Sequence, residues 1–389
     1  MRIFSFPRRG LAAVSIASTA LLVGGAGALP GDCGPFTDVT TFCQEVLEIF
    51  TLGITTGATP TTYDPASNVS RLQMAIFLSR SVDRLLQRGS IRTALRQFWT
   101  PQNDAALKLT TIGGLPQHVE SDGADLWATN YTGNSVSRVR GSDGRLLETW
   151  TGASSAEGVL VAAGYVYVTG NTSPGQLYQI DPSQSAGAVN TVATNLGNFP
   201  AGIAFDGSRI WTANNDIPGG ISIVTPGAVP WTVTTVTAGF FLPIGALYDG
   251  ANVWITIFSP PRLLKLDSAG AILQSVTVGN NPQYPVFDGT NIWVPNGGSG
   301  SVSVVRASSG EVLATLTGNG LISPVTAAFD GQRVLVTNNS SSNVSLWKAA
   351  DLTTLGSFGT GTSTHPYGAC SDGARFWIAL ASANKLARF

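Results

Sequence analysis

Seven glycines, Gly123, Gly164, Gly207, Gly250, Gly289, Gly331 and Gly373, recur in one local phrase, usually Phe, Tyr or Ser before Asp-Gly, with a large ring about four residues later. Their spacings are 41, 43, 43, 39, 42 and 42 residues. A period of about 40 to 45 residues is that of a propeller blade. Repetition on this period constrains the fold more than any single motif does.

The copies align without a gap. Seven residues before the glycine stands a proline in six copies, Pro116, Pro200, Pro243, Pro282, Pro324 and Pro366, and Glu157 takes the place in the second. Between proline and glycine lies a short apolar run such as Ile203-Ala204-Phe205, too short for a helix and bounded by turn residues, which predicts a buried strand. Asp-Gly then supplies a hairpin turn, because glycine accepts positive φ without steric cost. A second strand carries a central aromatic, Trp127, Tyr167, Trp211, Trp254, Trp293 or Trp377, with Leu335 in copy six. After an Asn-rich break come an alternating third strand, as in Ser301 to Val305, and a fourth, as in Val312 to Leu316. Four short antiparallel strands make one blade.

Copy seven reaches only its third strand, Asn384 to Phe389, and the matching fourth strand lies at the other end of the repeats, in Ala106 to Gly114 before the first proline. Pairing that segment into the last blade closes the ring and removes an open sheet edge. The sequence therefore predicts an all-β fold, a seven-bladed β-propeller over residues 102–389 closed by its N-terminal strand.

The phrases Leu126-Trp127-Ala128-Thr129-Asn130-Tyr131 and Val334-Leu335-Val336-Thr337-Asn338-Asn339 resemble the YVTN-type propeller repeat of bacterial surface and periplasmic proteins. The resemblance spans all seven copies and speaks to fold, since propellers host many unrelated functions. Ahead of the repeats, residues 1–28 have the order of a signal peptide: Arg2, Arg8 and Arg9, an apolar stretch from Leu11, then Ala26-Gly27-Ala28. Export to the periplasm, cell surface or medium is expected, with membrane contact only through this segment. Residues 29–88 are expected to form a small α-helical module, and 89–101 a linker. Phe36 to Val39, Leu52 to Gly57, Tyr63-Asp64-Pro65 and Val69 to Gln73 resemble one surface-layer homology (SLH) module. Ser70 and Gln73 form a capping box for its second helix. In that family the motif at this helix start grips a cell-wall polysaccharide. Here it reads Ser70-Arg71-Leu72-Gln73, keeping the arginine and losing the carboxylate, so wall anchoring through Ser70, Arg71 and Gln73 stands beside a plain capping role. Cys33 and Cys43, ten residues apart in this module, are expected to form a disulfide, and Cys370 to be a packed apolar cysteine.

Charged residues are 12% of the chain and the net charge is −1. A nucleic-acid partner, which needs clustered Lys and Arg, is excluded on that ground. The surface falls to Thr, Ser, Asn and Gly, which suits envelope glycans or proteins as partners of a monomeric propeller. With two histidines and no zinc or hydrolase motif, no cofactor or metal is expected, and a turn explains every Asp-Gly without calcium.

One constellation departs from the repeat. At the position of His118 other copies carry Gly158 (Val159 by strict spacing), Gly202, Gly245, Tyr284, Thr326 and Gly368, and Glu120 replaces an apolar residue. His365 precedes Pro366 in the blade that neighbours the first once the ring closes. His118, Glu120, Tyr284, His365 and Tyr367 are thus expected as a polar cluster at the channel mouth, rimmed by Tyr131, Phe240 and Phe241. Propeller lyases similar to virginiamycin B lyase use a histidine at such a mouth, with a metal. The match is positional, without a shared motif. The leading expectation is a rigid binding scaffold for protein or glycan tethered by the SLH-like module. The alternatives are a lyase or hydrolase acting through His118, His365 and Glu120, and a structural surface-layer component.

Overall fold

Seven antiparallel sheets of four strands each follow one another among the described residues. The computed structural model describes residues 107–389 without interruption, and residues 36–40, 46, 58–59, 61–69, 74, 77 and 78 of the N-terminal region. The chain divides into two units, Met1–Leu85 and Leu86–Phe389. Six blades run in sequence order from the innermost strand outward, with inner strands Pro116–Ser121, Ala156–Ala162, Pro200–Phe205, Pro243–Tyr248, Val286–Phe287 and Pro324–Phe329. Blade seven joins Pro366–Ser371, Phe376–Leu380 and Lys385–Arg388 to Lys108–Thr111, with Leu109 opposite Ala387 and Thr110 opposite Leu386. Neighbouring inner strands touch all round, including those of blades seven and one, so the ring is closed.

The repeated aspartate does more than make a turn. In blade four, Asp249 Oδ1 accepts the N–H groups of Ala251 (2.8 Å) and Asn252 (2.7 Å), while Oδ2 accepts Trp254 Nε1 at 2.7 Å. The same bond ties Asp122 to Trp127, Asp206 to Trp211, Asp288 to Trp293 and Asp372 to Trp377, all five at 2.7 to 2.8 Å. The indoles are fully buried between blades, and their one polar atom is thereby satisfied. Copy six, with Leu335 in place of the ring, re-employs its aspartate: Asp330 Oδ2 accepts from Arg333 Nε at 2.7 Å.

Blade two corrects the ungapped alignment. Its hairpin turns on Ala163 (φ 50°) and Gly164 (φ 81°), with Ala162 opposite Tyr165, so the glycine is second in the two-residue loop. In blade one Gly123 comes first in the loop between Asp122 and Asp125. Counting back from glycine therefore slips by one residue. Ala156 faces Gly170 as Pro116 faces Asn130, so Ala156 occupies the proline position, Glu157 the next, and Gly158 the position of His118.

Just after the proline position the inner strand of six blades shifts register, leaving two residues opposite one. The second-strand threonine serves this bulge. Thr129 Oγ1 accepts the N–H of His118 (3.0 Å) and donates to Glu157 O of the next blade (2.6 Å). Thr256 ties Gly245 to Gln283, and Thr337 ties Thr326 to Tyr367, in the same way. These bonds stitch blade to blade at the channel wall. A Cβ on Gly158 or Gly202 would collide with the carbonyl of Ala201 or Ile244 respectively, which is why glycine fills most copies of the His118 position.

In the N-terminal unit Phe36, Val39 and Val46 are buried beside Tyr63, and the Phe36 and Tyr63 rings meet edge to face at 5.5 Å. Asp38 accepts the N–H groups of Tyr63 (2.8 Å) and Asp64 (2.7 Å). Cys33, Cys43, Ser70, Arg71 and Gln73 lie outside the described residues, as do residues 1–35 and 79–106.

Candidate functional site

At the bulge two successive residues of the inner strand stand opposite one, which gives two sets of residues along the channel wall. The first set is Gln117, Glu157, Ala201, Ile244, Gln283, Val325 and Tyr367, and the second replaces glycine only at His118, Tyr284 and Thr326. These side chains meet across the ring. The His118 imidazole lies 4.2 Å from the Tyr284 ring and 5.4 Å from that of Tyr367, and the two tyrosine rings are 6.0 Å apart. Glu157 Oε1 is 3.8 Å from His118 Nε2 and accepts from the Tyr284 hydroxyl at 3.4 Å. Ala201, Ile244, Tyr284 and Val325 form a small apolar cluster with Tyr367 packed on it.

Two spaces adjoin this cluster. On one side is a cavity of about 520 Å³ that runs from the level of His118, Tyr284 and Thr326, past Glu120 and Cys370, to the hairpin ends of the inner strands at Phe205, Tyr248 and Phe329. On the other is a cleft of about 270 Å³ lined by Asn215, Leu242, Ile244, Phe258, Asn281, Gln283, Tyr284 and Tyr367. Asn215 and Phe258 directly follow second strands, and Leu242 and Asn281 precede inner-strand residues Pro243 and Pro282, which places the cleft on the top face. Tyr284 borders both spaces.

Burial dominates the electrostatics, and no Lys or Arg is among the residues described as lining either space. Burial pushes the His118 imidazole down to about 3, so it is neutral at physiological pH. Burial raises Glu157 to about 7, against a smaller lowering by the Tyr284 hydroxyl, and raises Glu120 to about 7, against the backbone N–H of Ser121. Both tyrosine phenols are pushed up, chiefly by burial, as is the Cys370 thiol, which is 5% exposed and inert as a nucleophile. A raised carboxyl favours the folded state fully below the unfolded value of about 4.5 and loses that contribution as pH rises through about 7. Replacing Glu157 with Gln is accordingly expected to be nearly neutral at pH 4.5 and stabilising at pH 8, by at most about 3 kcal/mol. Urea melts of both proteins across that range check this. A stability difference that does not grow with pH contradicts the burial of Glu157 as an uncompensated acid.

The expected site residues are thus partly united. His118, Tyr284 and Tyr367 touch, Glu120 lines the cavity below them, and Tyr131 is near enough to Tyr367 to add to the rise of its phenol. His365 is elsewhere: its Nδ1 is 2.8 Å from Ser382 Oγ, and it lines neither space. The cluster lies inside the channel and not at a rim made by the two phenylalanines. Phe240 is 3% exposed and packs in the core with Trp211 and Ile255, whereas Phe241 is exposed over a shallow depression beside Pro260. Glu157 belongs to the cluster but was hidden by the one-residue slip in blade two.

The donor set does not fit a metal. His118 offers one nitrogen with Glu157 beside it, and no group of three His, Cys, Asp or Glu side chains suited to an ion occurs among the described residues.

The propeller is similar to solved structures. Virginiamycin B lyase from Staphylococcus aureus matches 72% of this chain and 98% of its own at 16% identity, with a TM-score of 0.61. A streptogramin B lyase matches 72% and 97% at 14% identity with a TM-score of 0.61, and the WD40 propeller domain of Doa1 matches 72% and 95% at 12% identity with a TM-score of 0.59. At these identities the likeness establishes the propeller fold alone. No protein-family model and no curated protein sequence matches the chain.

Proposed function

We propose that this chain is an exported propeller of the YVTN type whose top-face cleft recognises a neutral envelope glycan. On this reading its N-terminal unit, similar to an SLH module, holds it at the envelope through Ser70, Arg71 and Gln73. The observation that carries the reading is the composition of the cleft: three amide residues, Asn215, Asn281 and Gln283, the last donating from Nε2 to Asn281 Oδ1, line the same space as Phe258, Tyr284 and Tyr367, with no Lys, Arg, Asp or Glu among the lining residues. A sugar ring presents hydroxyls that pair with amides and apolar C–H faces that pack on aromatic rings, and concave sites of mixed apolar and polar lining are the usual form of a small-ligand pocket. The cleft volume suits one or two sugar rings rather than the broad flat area a protein partner needs. A lyase or hydrolase acting through both histidines draws no support from their placement, since the His365 ring is engaged by Ser382.

Two experiments test the reading. The purified full chain, screened against neutral and charged envelope oligosaccharides, is expected to bind neutral members, and retention of none, or of charged members only, contradicts it. Fractionated cells are expected to hold the protein in wall material until it is washed with free glycan. Recovery wholly in the medium refutes the anchoring.

A further inference from the structure

The cavity on the opposite side of the tyrosine layer has a different chemistry. Its walls are mainly aliphatic and aromatic, from Leu160, Ile203, Leu247, Val286 and Phe329 among others, and no Lys or Arg lines it. Its only carboxylate is Glu120. His118 and Glu120 stand two residues apart on one strand and so project to the same side, about 7 Å apart along the chain. Beyond His118, outside the cavity lining, is Glu157, whose side chain is 8% exposed. Neither carboxylate has a cationic partner among the described ion pairs, apart from the neutral His118 beside Glu157. At the same level Thr326, 6% exposed, points a hydroxyl with no hydrogen-bond partner, and His118 Nε2 is likewise unpartnered. Buried polar atoms left unpaired are costly, and buried carboxylates without a counter-charge more so.

We propose that this cavity binds a primary ammonium group on a short apolar body, held by the carboxylate of Glu120. The ammonium N–H groups donate to the Glu120 carboxylate, with the unpartnered Thr326 Oγ1 as a second acceptor at the same level, and the apolar walls take the body of the ligand. The site is separate from the top-face cleft and stands whether or not a glycan binds there. The titratable groups that line the cavity with Glu120 are His118 on its own strand, Tyr248 of blade four, Tyr284 of blade five and Cys370 of blade seven, with Glu157 of blade two next to His118. None is cationic at neutral pH, so binding requires Glu120 to ionise and weakens as it takes up a proton below about pH 7.

The test compares 2-phenylethylammonium with its neutral isostere 2-phenylethanol by calorimetric titration of the full chain. At about pH 8.5 the ammonium is expected to bind at least tenfold more tightly than the alcohol, and at about pH 5.5 the preference is expected to fall below about threefold. In Glu120→Gln the preference disappears at pH 8.5 while the alcohol binds as in the wild type. An equal thermal midpoint of variant and wild type at pH 5.5, where Glu120 is itself protonated, shows that the variant is folded. Equal affinity for the two probes, a preference that ignores pH, a preference retained in Glu120→Gln, or no binding of either probe overturns the proposal.

Discussion

Trp254→Ala is expected to lower stability by about 3–5 kcal/mol and the thermal midpoint by on the order of 10 °C. The indole is fully buried among Leu263, Val276, Ile292, Val294 and Val305, in the interface of blades four and five. Removing it empties a large space and strips the Asp249 carboxylate of its Nε1 donor. The ring also lies under the Lys265 ammonium at 5.2 Å, and that contact disappears as well. Blade six shows how the position can do without an indole, since Leu335 replaces the ring and Arg333 takes over the aspartate. Trp254→Leu should therefore cost less than Trp254→Ala, and less again when combined with Asn252→Arg, which restores the partner three residues after the aspartate. Blade three already carries arginine there: Arg209 bonds Asp206 at 2.8 Å beside an intact Trp211. Denaturant melts of the three variants decide the point. Additive losses in the double variant would show that the aspartate needs no partner.

Deleting residues 1–112 is expected to destroy cooperative unfolding and to drive the propeller into oligomers, whereas a chain beginning at residue 107 keeps a monomeric, cooperatively folded ring. The deletion takes away the Lys108–Thr111 strand, exposing the ladder of Lys385–Arg388 as a free edge. It also removes Ile112 from the cluster that holds Trp377, Cys370 and Leu386, opening the blade seven core to water. Thr110→Pro should give a milder version of the same loss, because proline cannot donate to the ladder opposite Leu386. Gel filtration and thermal melts check both. A monomer with an unchanged midpoint after the longer deletion would mean that the terminal strand does not close the ring.

The propeller was legible because each blade is punctuated locally: Asp-Gly turns and the ring that bonds the aspartate are readable within a few residues. Closure was legible for the same reason, since a missing fourth strand at one end found its match at the other. The site was less so. His118, Tyr284 and Tyr367 stand out as departures from glycine or aliphatic positions, but Glu157 was concealed by a turn that moves the glycine one place within its loop, a difference of φ at Ala163 and not of spacing alone. The cleft draws on blades three, four, five and seven, and no sequence period shows that Asn215, Asn281 and Gln283 converge. Phe240 and Phe241 are adjacent and chemically identical, and only packing separates the core ring from the exposed one.

The glycan reading of the top cleft is tested most directly by calorimetric titration of the full chain with the neutral oligosaccharide that binds best in the screen, comparing wild type with Gln283→Ala and Tyr367→Ala. Each variant is expected to lose at least tenfold in affinity while its thermal midpoint at pH 5 shows it folded. Unchanged affinity in both variants would place recognition somewhere other than this cleft and contradict the account.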